Sequence, residues 1–199
     1  MSLRFALTWD YRCPFARNIH EHVVDALLDG ADWDVTFLPF SLGQSHVGPD
    51  EPAVWDLPEG DSGLLGQEVA LAVQAVAPDR FLPLHRALFR YRHELGGNLR
   101  DRDRLTGILG EHGIDADAVW AEVDSGRPRA QVRDLHTGYA ESHDVWGVPT
   151  FIVGDHAAFV RLMHRPDGNP ASSRRDIERI VELLSWPQLN EFKHTSIPN

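Results

Sequence analysis

The order of strand and helix patterns in the first 40 residues constrains the fold more than any other feature of this sequence. Residues 3–9 form a short apolar run rich in β-forming residues, which predicts a buried strand. Pro14 suits the first position of a helix because its missing N–H would have no partner there, and apolar residues recur at helical spacing from Phe15 to Leu27. Residues 33–40 predict a second strand. A helix between two strands supplies the crossover that neighbouring parallel strands need. The first 40 residues therefore predict a β-α-β unit with parallel strands.

The middle of the chain has a helical pattern throughout. Residues 43–63 carry Gly and Pro at many positions and predict a loop. No strand-like run lies between residues 40 and 146, which predicts an all-helical insertion over residues 43–144. Residues 1–42 and 145–199 would then form one α/β domain around it. The helices are predicted over residues 64–77, 81–95, 101–112, 115–123 and 128–143.

The strand pattern returns after the helical block. Residues 149–153 predict one strand and residues 158–162 another, and so short a connection allows only a hairpin. Ser172 or Ser173 can cap a last helix with a clear apolar stripe. The order β-α-β, helical block, β-β-α predicts an α/β sheet with a crossover half and a hairpin half.

The charge and the cysteine content exclude several classes of protein. The 199 residues carry 19 Lys and Arg against 30 Asp and Glu, and a net charge of −11 offers no electrostatic surface for nucleic acid or an anionic membrane. One cysteine cannot form an intramolecular disulfide, which excludes a secreted disulfide scaffold and fits a reducing setting. The apolar run near the start is too short for a signal peptide, and no window approaches the length of a membrane span. We therefore expect a cytoplasmic protein with no nucleic-acid or membrane partner.

Cys13 is the residue best placed for chemistry. It follows the first predicted strand and stands directly before the helix that Pro14 begins. The unpaired N–H groups at a helix start create a positive potential that favours thiolate, the nucleophilic form of cysteine, and the adjacent Arg12 can add to it. The alternative is a buried, inert cysteine. Because ligands usually bind at the carboxyl end of a strand in an open sheet, the sequence favours a reactive thiol.

A second candidate lies at the start of the third predicted strand. Pro149 follows Gly147 and Val148, and a proline at this point is a candidate for a cis peptide bond. A cis bond would turn the N–H and C=O of Val148 away from the sheet and toward a ligand. The alternative is an ordinary trans strand start, which most X–Pro bonds would favour.

At this point the sequence resembles the DsbA-like branch of the thioredoxin superfamily. The resemblance extends in order over nearly the whole chain, from the first strand through the helical insertion to the last hairpin. It implies a thioredoxin-like fold for residues 1–42 and 145–199, with the insertion covering an active-site cleft. The residues that carry it are the motif Cys13-Pro14-Phe15-Ala16 and the segment Val148-Pro149-Thr150.

The resemblance also implies roles for particular residues. The first cysteine of the family's Cys-x-x-Cys motif is the nucleophile, and its place is taken by Cys13. The family's cis-proline loop, which binds thiol or peptide substrates through its backbone, matches the segment at Val148. The residues expected to contact substrate are Arg12, Pro14, Phe15, Val148 and Pro149.

Ala16 is the main departure from the family pattern. It occupies the position of the resolving cysteine, so a two-cysteine cycle within one chain is excluded. What remains is monothiol chemistry, in which Cys13 forms a mixed disulfide and a second, external thiol resolves it. The expected cosubstrate is a low-molecular-weight thiol of the glutathione or mycothiol type, with no tightly bound cofactor. The expected substrate is a small-molecule or peptide disulfide.

Two other functions stay open at this point. The same branch includes kappa-class glutathione transferases and 2-hydroxychromene-2-carboxylate isomerase, in which the Cys13 position would stabilise the thiolate of a bound thiol rather than attack. Ala16 also favours a third function, that of a degenerate, non-enzymatic thioredoxin fold that binds a partner. The sequence leaves a homodimer open as well.

The remaining polar residues carry weaker predictions. None of the 11 histidines has convincing metal-ligand spacing, so no metal is expected and most are predicted to lie on the surface. Trp9 is predicted to lie in the core, and Asp10 to cap the helix or face solvent. The basic segment that begins at Arg161 and includes Arg165 either binds the carboxylates of a peptide-like thiol or pairs with acidic neighbours.

Overall fold

A computed structural model describes residues 3–57 and 63–189. Residues 58–62 of the predicted loop, and residues 1–2 and 190–199 of the predicted α/β domain, lie outside the described residues. The strands are β1 (Leu3–Trp9), β2 (Trp33–Pro39), β3 (Thr150–Val153) and β4 (His156–Phe159). The α-helices are α1 (Pro14–Leu28), α2 (Leu64–Val76), α3 (Phe81–Glu94), α4 (Arg102–Glu111), α5 (Ala116–Asp124), α6 (Arg127–His143) and α7 (Pro170–Leu184).

The four strands form one sheet in the order β2-β1-β3-β4. β1 and β2 are parallel, with Leu3 opposite Trp33 and Trp9 opposite Pro39, as the β-α-β pattern predicted. β3 is antiparallel to both β1 and β4. The crossover half and the hairpin half of the fold are thus both confirmed, and they meet where β1 pairs with β3.

Two predicted boundaries in the hairpin half are wrong. β4 begins at His156 and ends at Phe159 rather than covering residues 158–162, because Gly154, at φ 59°, turns the chain immediately after β3. α7 begins at Pro170 rather than behind a serine. Its N-terminal N–H groups are capped by the side chain of Asn169.

The helices α2 to α6 all lie between β2 and β3 in the chain, as predicted. They do not stand apart from the sheet, because one buried cluster joins Trp9, Leu38 and Val148 to helix residues such as Leu88 and Val119. A second cluster packs α1 and α7 against the strands. In the described part of the chain, no helix has the length and apolar character needed to cross a membrane.

Candidate active site

Cys13 lies between β1 and α1 as the N-cap residue of that helix. Its backbone N–H donates to the carbonyl of Asp10 at 3.0 Å. Its Sγ accepts a hydrogen bond from the N–H of Ala16 at 3.4 Å, so the sulfur satisfies one of the N–H groups that a helix start leaves unpaired. Ala16 therefore contributes its backbone, at the motif position where a resolving cysteine would contribute a second sulfur.

The segment at Val148 faces Cys13 across the site. The Sγ–H of Cys13 donates to the carbonyl oxygen of Val148 at 3.4 Å, and the peptide bond between Val148 and Pro149 is cis. The two segments that the sequence singled out, 135 residues apart, therefore meet at one sulfur atom.

Thr8 holds this loop in place, and no motif or spacing in the sequence singles it out. Its side chain is fully buried, and its hydroxyl donates to the carbonyl of Gly147 at 3.2 Å while accepting from the N–H of Thr150 at 2.8 Å. The hydroxyl of Thr150 donates to the same carbonyl at 2.9 Å. A threonine in a strand is ordinarily interpreted as a β-former, so only its contact across the sheet identifies this role.

The protonation state of Cys13 differs from the prediction. The residue is only 8% exposed, and this burial is the largest influence on its thiol and raises its pKa. The hydrogen bonds from the backbone of Ala16 and Phe15 and the charge of Arg161 act in the opposite direction without overcoming it. The prediction that the helix start shifts Cys13 toward thiolate is therefore wrong in direction. The raised pKa favours the neutral thiol, which is placed to donate to the carbonyl of Val148.

Asp10 is buried, which corrects the expectation that it caps the helix or faces solvent. It is 1% exposed, and its carboxylate accepts from the N–H of Arg12 and the N–H of Leu42, both at 2.8 Å. The guanidinium of Arg12 forms an ion pair with the same carboxylate at 3.2 Å. Arg12 thus takes part in fixing the loop before Cys13, in addition to any contact with substrate.

An aromatic surface beside the Cys13 motif is formed by Phe15, Phe159 and Trp146, with Arg161 between the first two. Pro14 is exposed and Phe15 is half-buried. The guanidinium of Arg161 lies over the ring of Phe15 at 4.8 Å and within 5.8 Å of Phe159. Trp146, which is 67% exposed, packs against Phe159 with ring centroids 4.6 Å apart. Phe159 was missed because it adjoins neither motif in the sequence. Trp146 was missed although it stands two residues before Val148, and that nearness is the one signal that could have indicated it.

Two arginines of the basic segment after β4 have different surroundings, one pairing with acidic neighbours and the other not. Arg165 pairs with Glu21 at 2.6 Å and with Glu94 at 2.9 Å, so its charge is used inside the protein. Arg161 instead lies on the aromatic surface beside the active site.

The expectation that most histidines lie on the surface fails for four of them: His20, His22, His85 and His136 are buried. His85 Nε2 lies 2.9 Å from His20 Nδ1, and its Nδ1 lies 2.8 Å from the hydroxyl of Tyr11. Trp9 is fully buried beside them, which confirms its predicted place in the core. Within the described ranges, no three His, Cys, Asp or Glu side chains are grouped as metal ligands.

The sequence matches the family described as the DSBA-like thioredoxin domain over residues 8–165, a range that includes both the Cys13 motif and the Val148 loop. The chain belongs to this family. No curated protein matches the chain significantly at the level of sequence.

Solved structures extend the match to the three-dimensional fold. The cytosolic disulfide reductase DsbM from Pseudomonas aeruginosa, solved with GSH, is 17% identical, with a TM-score of 0.62 over 90% of this chain and 100% of that one. The thiol-disulfide exchange protein alpha-DsbA2 from Wolbachia pipientis is 18% identical, with a TM-score of 0.60 over 90% and 82% of the two chains. DsbA from Pseudomonas aeruginosa is 16% identical, with a TM-score of 0.58 over 91% and 83%. This chain therefore has the fold of the DsbA-like thiol-disulfide oxidoreductases, including the helical insertion.

Proposed function

We propose that this member of the DSBA-like family is a monothiol thiol-disulfide oxidoreductase that works with a low-molecular-weight thiol in a reducing, cytoplasmic compartment. One observation carries the proposal: the lone sulfur of Cys13 lies between the N–H of Ala16 and the carbonyl of Val148, with no second cysteine in the chain. DsbM, which shares the fold, was solved with GSH, and this supports a thiol of the glutathione type.

The reaction needs two external partners because the chain holds one sulfur. The Cys13 thiol first loses its proton to solvent, and the thiolate attacks one sulfur of the disulfide substrate. The substrate S–S bond breaks, a mixed disulfide with Cys13 forms, and the departing thiolate takes up a proton. A small thiol, as its thiolate, then attacks the substrate-derived sulfur of the mixed disulfide and forms a new disulfide with it. The bond to Cys13 breaks, and the Cys13 thiolate that leaves takes up a proton. The N–H of Ala16 stabilises the Cys13 thiolate before it attacks and again when it is released.

The test is formation of the mixed disulfide. We expect wild-type protein incubated with oxidised glutathione to gain one glutathione on Cys13 by intact mass, and the Cys13→Ser variant to gain none. Because burial raises the pKa of Cys13, the rate should increase steadily as the pH rises through neutrality. Added reduced glutathione should then restore the free thiol. A wild-type protein that forms no adduct even at alkaline pH would refute the proposal.

A second function is favoured by the neutral state of Cys13. A buried thiol that donates a hydrogen bond, as Sγ–H does to Val148, could instead donate to the thiolate of a bound cofactor in a thiol-dependent transferase or isomerase. The Cys13→Ser variant separates the two functions, because a serine hydroxyl also donates. It would retain much of a transferase or isomerase activity, whereas it would lose every disulfide-exchange activity.

A further inference from the structure

Arg161 is held beside the active site with its charged edge uncovered. It is exposed, and its guanidinium lies over the ring of Phe15, two residues beyond Cys13, and near the ring of Phe159. Stacking of this kind uses the flat face of the guanidinium. The N–H groups around its edge stay available for a planar, two-point contact with a carboxylate.

The contrast with Arg165 shows that this arrangement is not a general property of the segment. Arg165 binds two carboxylates of the protein, Glu21 and Glu94. Among residues 3–57 and 63–189, Arg161 makes ring contacts and no ion pair with any carboxylate. Its charge therefore lies beside the Cys13 motif without a carboxylate of the described residues to neutralise it.

The charge of Arg161 also reaches the reacting sulfur. It acts to lower the pKa of Cys13, against the larger effect of burial. A carboxylate bound to Arg161 would lie beside the Cys13 motif, because the guanidinium stacks on Phe15 of that motif. Tripeptide thiols such as glutathione carry carboxylates in the same small molecule as their sulfur.

We infer that Arg161 is a specificity-determining residue that binds a carboxylate of the thiol or disulfide reacting at Cys13. This inference rests on the proposed function and adds to it the class of substrate: an anionic, peptide-like disulfide rather than a neutral one. Phe15 and Phe159 hold the guanidinium in place, and the substrate carboxylate completes its pairing.

The experiment compares two disulfides of different charge. The rate of mixed-disulfide formation is measured by intact mass with oxidised glutathione, which is anionic, and with bis(2-hydroxyethyl) disulfide, which is neutral. We expect Arg161→Gln to slow the reaction with oxidised glutathione by about tenfold, the effect of one charge-assisted hydrogen-bonded contact, and to leave the neutral reaction within about twofold. Arg161→Lys should recover part of the loss, because lysine keeps the charge and loses the planar geometry.

Arg4→Gln is the matched control. It removes the same charge at the opposite end of β1 from Cys13, where Arg4 forms an exposed pair with Asp34. If Arg4→Gln slows the reaction with oxidised glutathione as much as Arg161→Gln does, the slowing comes from the net charge of the protein. The inference of a carboxylate contact at Arg161 is then overturned. Equal slowing of both disulfides by Arg161→Gln would also overturn it, since Arg161 would then act on the thiol alone. If wild-type protein reacts with neither disulfide, the proposed function itself fails.

Discussion

Two sets of polar contacts join α1 to α3: one consists of hydrogen bonds between neutral groups, and the other consists of ion pairs. The first, called here the neutral chain, runs from Tyr11 through His85 and His20 to the carbonyl of Thr8. The second, called here the ion-pair network, consists of Arg17, Glu21, Glu94 and Arg165. Both tie the helical insertion to the helix that begins at the active site.

The neutral chain has one arrangement of protons that satisfies every member. The carbonyl of Thr8 can only accept, so His20 Nε2–H donates to it at 3.1 Å. Neutral His20 must then accept at Nδ1 from His85 Nε2–H, and His85 must accept at Nδ1 from the Tyr11 hydroxyl. Burial keeps the groups neutral: it lowers the pKa of His20 from 6.5 to about 3, lowers that of His85 well below 6.5, and raises that of Tyr11.

The ion-pair network tolerates charge because it reaches the surface. Glu21 is 4% exposed, but Arg165 is 51% exposed and keeps part of its hydration. Although desolvation acts to raise the pKa of Glu94, the hydrogen bond and charge of Arg17 and the charge of Arg165 lower it overall. The neutral chain, which lies next to the buried loop before Cys13, therefore carries no net charge. The ion-pair network, which reaches the protein surface at Arg165, depends on charge.

Mild acid should break the neutral chain first, and this is the largest effect we expect. Unfolded histidines take up protons below pH 6.5, whereas folded His20 stays neutral down to about pH 3, so stability is intact above pH 6.5 and declines toward pH 3. At pH 5 the loss should be about 2 kcal/mol for His20, and His85 adds to it in the same direction because burial lowers its pKa too. His136, which lies outside the neutral chain, adds a loss of its own because burial lowers its pKa to about 4. Chemical denaturation between pH 7 and 5 measures it.

The ion-pair network should not contribute in that window. Its carboxylate Glu94 has a pKa below 4.5 in the folded protein, so it stays ionised in folded and unfolded chains alike until the pH falls below about that value. A free energy of unfolding that stays constant from pH 7 to pH 5 would show that the histidines are protonated in the folded protein, and would contradict the neutral chain.

Replacing His85 should have the next largest effect. His85→Phe keeps a ring of similar shape among Phe81 and Phe89 but leaves the Tyr11 hydroxyl and His20 Nδ1 without partners. Each unpaired buried group costs about 1–3 kcal/mol, so we expect a loss of about 3 kcal/mol in the free energy of unfolding at pH 7.

The control for this variant is His156→Phe, which replaces an exposed histidine on β4 and should change stability by less than about 0.5 kcal/mol. The His85→Phe variant should also lose part of the acid sensitivity, because one of the histidines that must stay neutral is gone. Equal acid sensitivity in wild type and His85→Phe would show that the neutral chain is not its source.

The sequence predicted those parts of the molecule that depend on local patterns. The β-α-β unit, the helix beginning at Pro14 and the hairpin after Val148 each follow from residue spacing over a few turns or strands. The meeting of Cys13 and Val148 was predicted through the family resemblance, which supplies the long-range pairing that spacing alone does not.

The parts that escaped prediction depend on packing between distant segments. His20 and His85 are 65 residues apart, and nothing in either helix indicates that their rings meet. The pKa of Cys13 was predicted in the wrong direction because the helix start is a local feature, whereas the burial that outweighs it comes from the chain folded around the sulfur. Arg161 and Arg165 likewise look equivalent in sequence, and only the positions of Phe15 and Glu21 separate them.

Neutralising Glu21 should give the smallest of these changes in stability, and it tests whether the ion-pair network depends on charge. Glu21 accepts from both Arg17 and Arg165, and Glu21→Gln removes its charge while keeping a similar shape. We expect a loss of about 2 kcal/mol in 50 mM salt, below the cost of breaking a fully buried pair because Arg165 can turn to solvent. In 1 M salt, where screening acts over about 3 Å, the difference from wild type should shrink, while the loss in His85→Phe should not. Chemical denaturation of both variants at the two salt concentrations measures this. If salt reduced both losses equally, the two connections would not differ in charge, and the distinction drawn between them would be wrong.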